Sequence, residues 1–146
     1  MLPWVQVIAL EQPMLSGSCL CGSVSFEVQG EVTDIYQCHC SVCRKALGSS
    51  GVSLLLGSGR DFRWNSGEEN IQIFKTPSGY RSVFCKTCGS HVPDPNPEKT
   101  TYWIPAGLLD DTPPHIKIGA HVFVESKAHW DVIGGSGIQY PAGFPD

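Results

Sequence analysis

Seven cysteines, all in three short groups, are the residues of this chain best suited to chemistry. Thiolates at such close spacing are soft ligands of the kind that zinc selects in proteins. Disulfides explain the pattern less well, because seven is an odd number and a bridge across Cys-x-Cys closes a strained ring. Buried structural thiols are a third interpretation, but such thiols do not cluster in this way. The groups are Cys19 with Cys21, Cys38 with Cys40 and Cys43, and Cys85 with Cys88.

Two of the groups together supply the four ligands that a closed, tetrahedral zinc site requires. The run from Cys85 to Cys88 has the form of a zinc knuckle, in which Gly89 allows the positive φ of the turn. Cys19 and Cys21 point to the same side of an extended strand. We therefore predict a structural zinc held by these four cysteines, although the seven ligands could also be paired otherwise.

The remaining group, Cys38, Cys40 and Cys43, supplies three ligands and leaves the open fourth position of a catalytic zinc. Water or a substrate thiolate could occupy that position, so we predict that these cysteines form the catalytic centre. Alternatively, His39 or a nearby side chain closes the site and makes it a second structural one. In an extended segment, however, His39 faces away from its two neighbours. His121 has no ligand spacing relative to the cysteines and is expected to be structural.

Residues close to the cysteine groups are candidates for contact with a substrate. Arg44 and Lys45 follow the three-cysteine group and could hold a carboxylate of a thiol substrate, or could form a solvated helix face. His91 follows the knuckle and is a candidate proton shuttle, the alternative being a hydrogen-bonded structural histidine. Tyr102 and Trp103 could wall a pocket, although aromatic packing in the core is the more common role.

The elements that position these residues are predicted to be mainly strands. Charged residues make up 16% of the chain, against about 25% in typical domains, and 16 Gly and 11 Pro exclude a long helical bundle. One short helix is expected at residues 41–47, ended by Gly48. Three prolines at alternate positions predict a loop at 92–99 that joins no ladder. Apolar alternation and short apolar runs predict strands at 23–29, 32–37, 51–56, 71–74, 80–84, 101–106 and 116–124.

The length of 146 residues fits one domain. We expect a leader or an extra strand at 1–16, a zinc-binding domain at 17–133 and a surface tail at 134–146. The net charge of −4 argues against nucleic acid as a partner, and no apolar stretch is long enough to span a membrane. A first segment without positive charge indicates no secretory signal, so we expect a cytoplasmic location.

The cysteine groups and their neighbours resemble the glutathione-dependent formaldehyde-activating enzyme / centromere protein V domain family. The resemblance covers roughly residues 16–133. It rests on the segments Gly17-Ser18-Cys19-Leu20-Cys21-Gly22, Cys38-His39-Cys40-Ser41-Val42-Cys43-Arg44-Lys45-Ala46-Leu47-Gly48, Phe84-Cys85-Lys86-Thr87-Cys88-Gly89-Ser90 and His121-Val122-Phe123-Val124-Glu125-Ser126-Lys127-Ala128-His129-Trp130.

This resemblance implies a mainly β, Mss4-like fold stapled by zinc, with several small antiparallel sheets and at most one or two short helices. It implies a structural zinc on the four-cysteine set and a more labile zinc on the three-cysteine set. The implied activity is that of a carbon–sulfur lyase, which forms or breaks a thiol adduct of a small aldehyde such as formaldehyde. Glutathione is the family's thiol. A non-enzymatic zinc module, used to bind partners or to sense thiols or metal, is the alternative function.

Overall fold

Three small sheets and one α-helix make up the fold in the computed structural model, which describes residues 14–145. The mainly β fold expected from the sequence is therefore confirmed. The helix is α1 (Ser41–Leu47), and short 3-10 turns lie at Glu68–Asn70, Ala106–Leu108 and Val124–Ser126. The strands are β1 (Leu15–Ser18), β2 (Ser25–Val28), β3 (Ile35–Cys38), β4 (Val52–Ser58), β5 (Phe62–Ser66), β6 (Ile71–Lys75), β7 (Arg81–Cys85), β8 (Asp94–Pro95), β9 (Thr101–Pro105), β10 (Ile118–Val122) and β11 (Ile138–Gln139).

The largest sheet has six strands in the order β11-β10-β3-β4-β9-β8. A three-stranded sheet, β1-β2-β5, and the hairpin β6-β7 complete the fold. All pairs are antiparallel except those of β10, which runs parallel to both β3 and β11. The several small antiparallel sheets expected from the sequence thus include two parallel pairs, both made by β10. A long connection brings this strand back beside β3, as parallel pairing requires.

Alternation along the chain predicted β2 correctly. Val24, Phe26 and Val28 are each at most 1% exposed, while the residues between them face outward. The alternation at 116–124 predicted the wrong buried residues. Ile118 is 40% exposed, and His121 and Val122, which are neighbours in the sequence, are both buried. The strand also ends earlier than predicted, since the next residue, Phe123, takes a left-handed φ of 56° and starts a 3-10 turn.

The single α-helix lies at the residues predicted for it. Gly48 ends the helix with a φ of 60°, a conformation that costs glycine little because it has no Cβ. The N-cap is Cys40, whose Sγ accepts a hydrogen bond from the backbone N–H of Cys43 at 3.3 Å. No helix within residues 14–145 is long and apolar enough to cross a membrane.

The proline-rich segment at 92–99 was predicted to be a loop that joins no sheet, but part of it is a strand. Asp94 and Pro95 form β8, which pairs with Trp103 and Tyr102 of β9. Because β8 lies at the edge of the six-stranded sheet, Pro95 needs no N–H donor toward a further strand. An edge position therefore tolerates the proline that would interrupt a central strand.

The two ends of the described chain both contribute strands. Of the predicted leader, residues 1–13 lie outside the described residues, and β1 begins within its last two positions, at Leu15. The predicted surface tail differs from expectation, because it carries β11 beside β10. Its Phe144 also packs edge-on against Tyr36, with the ring centroids 5.2 Å apart. Pairing with β10 and the ring contact with Tyr36 thus hold this segment on the sheet.

Two groups of buried side chains form the core. One is largely aliphatic and aromatic, and in it Tyr102 stacks on Phe62 with the ring centroids 3.8 Å apart. Tyr102 therefore packs in the core, the more common of the two roles considered for it. The other group surrounds two cysteines of the four-cysteine set. The first comprises Phe26, Val28, Leu55, Tyr102 and Ile104, and the second Cys19, Val24, Val83, Cys85 and Val92.

Candidate metal centres

Four cysteines from two distant segments lie together in the structure. They are the same four that the sequence predicts for a closed metal site. Their Sγ atoms, from Cys19, Cys21, Cys85 and Cys88, lie within 4.8 Å of one another. The first pair follows β1, and the second begins at Cys85, the last residue of β7, so the fold brings together residues 64 positions apart. Cys19 and Cys85 are buried, whereas Cys21 is exposed. None of the seven cysteines is in a disulfide.

Polar groups that the sequence did not single out surround these four sulfurs. Ser23 Oγ lies 3.1 Å from Cys21 Sγ and 3.3 Å from Cys85 Sγ, and the Asn70 amide donates to Cys85 Sγ at 3.4 Å. A repeated tripeptide could have revealed the serines. Cys21-Gly22-Ser23 and Cys88-Gly89-Ser90 have the same sequence, and both glycines take a positive φ near 80°. Each turn places a serine hydroxyl against a cysteine sulfur.

Hydrogen bonds favour the thiolate form of two cysteines in this set. The contact with Ser90 lowers the pKa of Cys88 to about 5. The contact with Ser23 lowers the pKa of Cys85 to about 7. Because metals bind the thiolate and not the thiol, donors already aimed at these sulfurs prepare the site for a cation.

The other three cysteines lie where β3 gives way to α1. Cys38 is the last residue of the strand, Cys40 caps the helix and Cys43 lies in its first turn. Their Sγ atoms are also within 4.8 Å of one another. No fourth His, Cys, Asp or Glu ligand joins this group within residues 14–145. The group thus offers three candidate ligands, one fewer than a closed tetrahedral site requires.

Cys38 and Cys43 have pKa values displaced in opposite directions. The pKa of Cys38 is lowered to about 6, mainly because the Cys43 thiol donates a hydrogen bond to its sulfur. A hydrogen bond from the Cys40 backbone lowers this pKa further. The same bond raises the pKa of Cys43, because deprotonation would remove the donor and place a second charge beside the first. Near neutral pH the group therefore holds a thiolate at Cys38.

His39 turns away from the three cysteines. Its Nε2 lies 3.0 Å from Nδ1 of His121, and its Nδ1 lies 3.5 Å from a carboxylate oxygen of Asp131. Both histidines are at most 3% exposed. The alternative in which His39 closes the metal site therefore does not match its orientation. His39 instead links the cysteine segment to β10 and to the chain beyond it.

A cavity of about 480 Å³ opens beside the three-cysteine group. Cys38 and Cys43 line it, together with His91 and Trp103. Trp103 is 36% exposed and so fits the pocket-wall role considered for it. Burial lowers the pKa of His91, which is therefore neutral at neutral pH.

The other two candidate substrate residues lie elsewhere. Lys45 lines a separate cavity of about 620 Å³, which shares Tyr80 with the first. Arg44 does not line the cavity beside the cysteines, and its Nε is buried without a hydrogen-bond partner in the described part of the chain. Only His91 of the three residues thus faces the space next to Cys38 and Cys43.

Both cysteine groups could hold a metal ion. The donors are all sulfur, a set that suits zinc and other thiophilic ions and does not suit calcium or magnesium. Four ligands suit a closed, structural site, and three suit a site that keeps a position for an exchangeable ligand. The first could staple β1 to β7, and the second could bind a small molecule entering from the cavity.

Comparisons with known proteins agree with this geometry. A curated protein of Halomonas elongata, which carries the provisional name glutathione-dependent formaldehyde-activating enzyme, is 30% identical over 143 residues, covering 91% of this chain and 90% of that protein. A crystal structure of a Rhodobacter sphaeroides protein is 26% identical, with a TM-score of 0.54, and covers 68% of this chain and 91% of that one. The model of the glutathione-dependent formaldehyde-activating enzyme family matches residues 14–126. As its cysteine motifs predicted, the chain belongs to this family.

Proposed function

We propose that the protein is a zinc-dependent carbon–sulfur lyase-type enzyme, which forms or breaks the adduct of a thiol with a small aldehyde. The observation that carries this proposal is the three-cysteine group, which offers one ligand fewer than a closed site and lines a cavity through Cys38 and Cys43. A closed site would have no room for a substrate. Family membership supports the reaction class and offers glutathione and formaldehyde as the reference pair.

Two zinc ions fit the donor sets. We assign a structural zinc to Cys19, Cys21, Cys85 and Cys88, and a second, more labile zinc to the three-cysteine group. When bound there, zinc supplies an open position that stabilises a thiolate near neutral pH and polarises a carbonyl oxygen. Binding of the ion releases protons from the thiols, and the lowered pKa of Cys38 reduces that cost.

The chain's own residues orient the reactants and move one proton. In the forward direction the S–H bond of the thiol breaks, a bond forms between sulfur and the carbonyl carbon, and the carbonyl oxygen takes up a proton. His91 is neutral at neutral pH and lines the cavity, so its imidazole can accept the first proton and return it to the oxygen. Confinement of both partners in the cavity lowers the entropic cost of their meeting.

We place the reaction in the cytoplasm. None of the seven cysteines is in a disulfide, a state that reducing compartments maintain. The partners in this proposal are small molecules. The net charge of −4 offers no basis for binding nucleic acid.

Cys40→Ser tests the proposal, because it removes one of only three ligands at the open site. We expect the variant to bind about one zinc per chain in place of two and to retain less than about 1% of the wild-type rate. Metal analysis gives the zinc content, and exchange NMR with labelled formaldehyde and glutathione gives the rate above the spontaneous reaction. Val42→Ser is the matched control, since this exposed neighbour lies outside the ligand set.

Two outcomes would contradict the proposal. Full turnover by Cys40→Ser would separate the activity from the three-cysteine site. A wild-type protein with two zinc ions, no turnover and no change in metal binding on titration with thiols would instead support the non-enzymatic zinc module.

A further inference from the structure

The cavity beside Cys38 and Cys43 has mostly apolar walls. Aromatic rings come from several directions, because Tyr36 lies on β3, Trp103 on β9 and Phe144 in the C-terminal segment. Leu54 of β4 adds an aliphatic surface. Its volume of about 480 Å³ exceeds what formaldehyde, with two heavy atoms, could fill. The cavity therefore has room for the body of a larger substrate.

Charge is balanced inside the cavity. Among its lining residues Arg81 is the one Lys or Arg, and Asp94 lines the same space. The guanidinium meets the carboxylate through two nitrogens, with Nε 3.3 Å from Oδ2 and Nη2 3.1 Å from Oδ1. The carboxylate thus balances the charge of the guanidinium and takes two of its five N–H donors. A negatively charged substrate would thus meet no uncommitted cation there.

Glutathione is poorly matched to such walls. It carries two carboxylates and one ammonium group, and a carboxylate moved from water into an apolar cavity needs a charged or hydrogen-bonding partner. Lys45, the lysine near the three-cysteine group, lines the separate cavity and not this one. The cavity offers instead a surface on which an uncharged ring or branched chain can pack.

We propose that the body of the substrate in this cavity is uncharged and apolar, an aromatic or branched aliphatic group attached to the thiol or to the aldehyde. This inference rests on the proposed function and narrows its substrate class. The reaction is unchanged: the thiol loses its proton, the carbon–sulfur bond forms and the carbonyl oxygen becomes a hydroxyl. The apolar body contributes binding, and the reacting group lies against the cysteines.

A substrate panel on the zinc-loaded full chain tests the inference and shows which partner carries the apolar body. The pairs are glutathione with formaldehyde, benzyl mercaptan with formaldehyde, and glutathione with 3-methylbutanal. We expect kcat/KM at least tenfold higher than for glutathione with formaldehyde in one of the two pairs that contain an apolar partner. Isothermal titration without the second substrate should show the same order of affinity.

Phe144→Arg adds a cation to the cavity wall. Phe144 is 52% exposed and lies outside the buried core, but its substitution also removes the edge-on contact with Tyr36. Phe144→Leu loses the same contact without adding a cation, and so separates that loss from the effect of charge. We expect Phe144→Arg to lower the preference for the apolar partner at least tenfold, with tighter binding of glutathione. Phe74→Arg is the matched control, because Phe74 is 53% exposed and lines the other cavity. This control should leave the preference unchanged, and thermal unfolding of all three variants checks their folding.

The possible failures can be told apart. Faster turnover of glutathione with formaldehyde than of either apolar pair, together with no effect of Phe144→Arg, would overturn this inference and leave the proposed function standing. No turnover of any pair above the spontaneous rate would overturn the proposed function and this inference with it.

Discussion

Cys38 and Cys43 have identical side chains, but their positions in the fold give their thiols different pKa values. Cys38 ends β3 and receives hydrogen bonds, whereas Cys43 gives one from the first turn of α1. The pKa of the first is lowered and that of the second is raised. Such divergence commonly accompanies functional sites, because it fixes which group is charged at working pH. Here it leaves one thiolate ready to bind a cation.

The lowered pKa of Cys38 predicts how the protein reacts with iodoacetamide when the three-cysteine group is free of metal and the four-cysteine set keeps its ion. The thiolate is the reactive form, so alkylation at Cys38 should be nearly complete above a midpoint near pH 6 and should decline as the pH falls through it. An ordinary thiol would show its midpoint near 9. Peptide mapping after brief labelling across pH 4–10 measures the profile at this residue.

Cys43→Ala provides the comparison for this titration, because it removes the main hydrogen-bond donor to Cys38. The midpoint at Cys38 should move upward toward 9 in the variant. A wild-type midpoint already near 9 would contradict the assignment of the thiolate to Cys38.

At the scale of elements, the turn between β3 and α1 fixes the positions of the three cysteines. Cys38 is paired with Val52 of β4, and Cys40 caps the helix through its own sulfur. Gly51 packs against the backbone of Cys38 so closely that a Cβ added there would collide with the Cys38 carbonyl oxygen. The three ligands thus belong to a segment fixed by a neighbouring strand, a helix cap and a close backbone contact.

Gly51→Ala should destabilise this element, because the methyl group and the Cys38 carbonyl cannot share the same space. We expect the free energy of unfolding to fall by about 1–3 kcal/mol, the usual cost of overpacking. Urea unfolding of the zinc-loaded protein measures the change.

Gly107→Ala is the control for the steric effect, since an added Cβ at Gly107 meets no atom within 4 Å. Its unfolding free energy should stay within about 0.5 kcal/mol of the wild type. Equal stability of the two alanine variants would show that β3 can shift away from β4 without cost.

For the whole molecule, links between distant segments matter most. The four-cysteine set brings the segment after β1 beside the end of β7, and the contact of His39 with His121 joins the residue after β3 to β10. β10 and β11 then extend the six-stranded sheet in parallel pairs. In a chain of this size a structural zinc, at about 10–16 kcal/mol, can equal the net stability of about 5–15 kcal/mol.

Metal removal should therefore unfold the protein if the four-cysteine set is structural. We expect a chelator that strips both sites to abolish the cooperative thermal transition, because the buried sulfurs of Cys19 and Cys85 lose the cation that joins them. Circular dichroism during heating, with and without chelator, measures this effect.

Two serine variants separate the contributions of the sites. Cys85→Ser should reproduce the effect of the chelator, whereas Cys43→Ser should retain a cooperative transition. A chelated protein with an unchanged melting temperature would contradict a structural role for the metal.

Much of the local structure could be predicted from neighbouring residues. The pattern at β2 and the helix at 41–47 were predicted correctly, because alternation and end signals act over a few positions. Predictions failed where distant segments decide the outcome. Pro95 lies in a strand since that strand is at a sheet edge, and the segment from 134 onward is held by β10 and Tyr36.

The sequence by itself determined the ligand chemistry and the three cysteine groups, because residues two or three positions apart stay close in any fold. Only the tertiary structure decided what those groups meet. It brought Cys21 to Cys85 across 64 positions, turned His39 toward His121, and placed aromatic rings and a neutralised Arg81 beside the open site. Such contacts depend on the packing of segments far apart along the chain, and no local pattern encodes them.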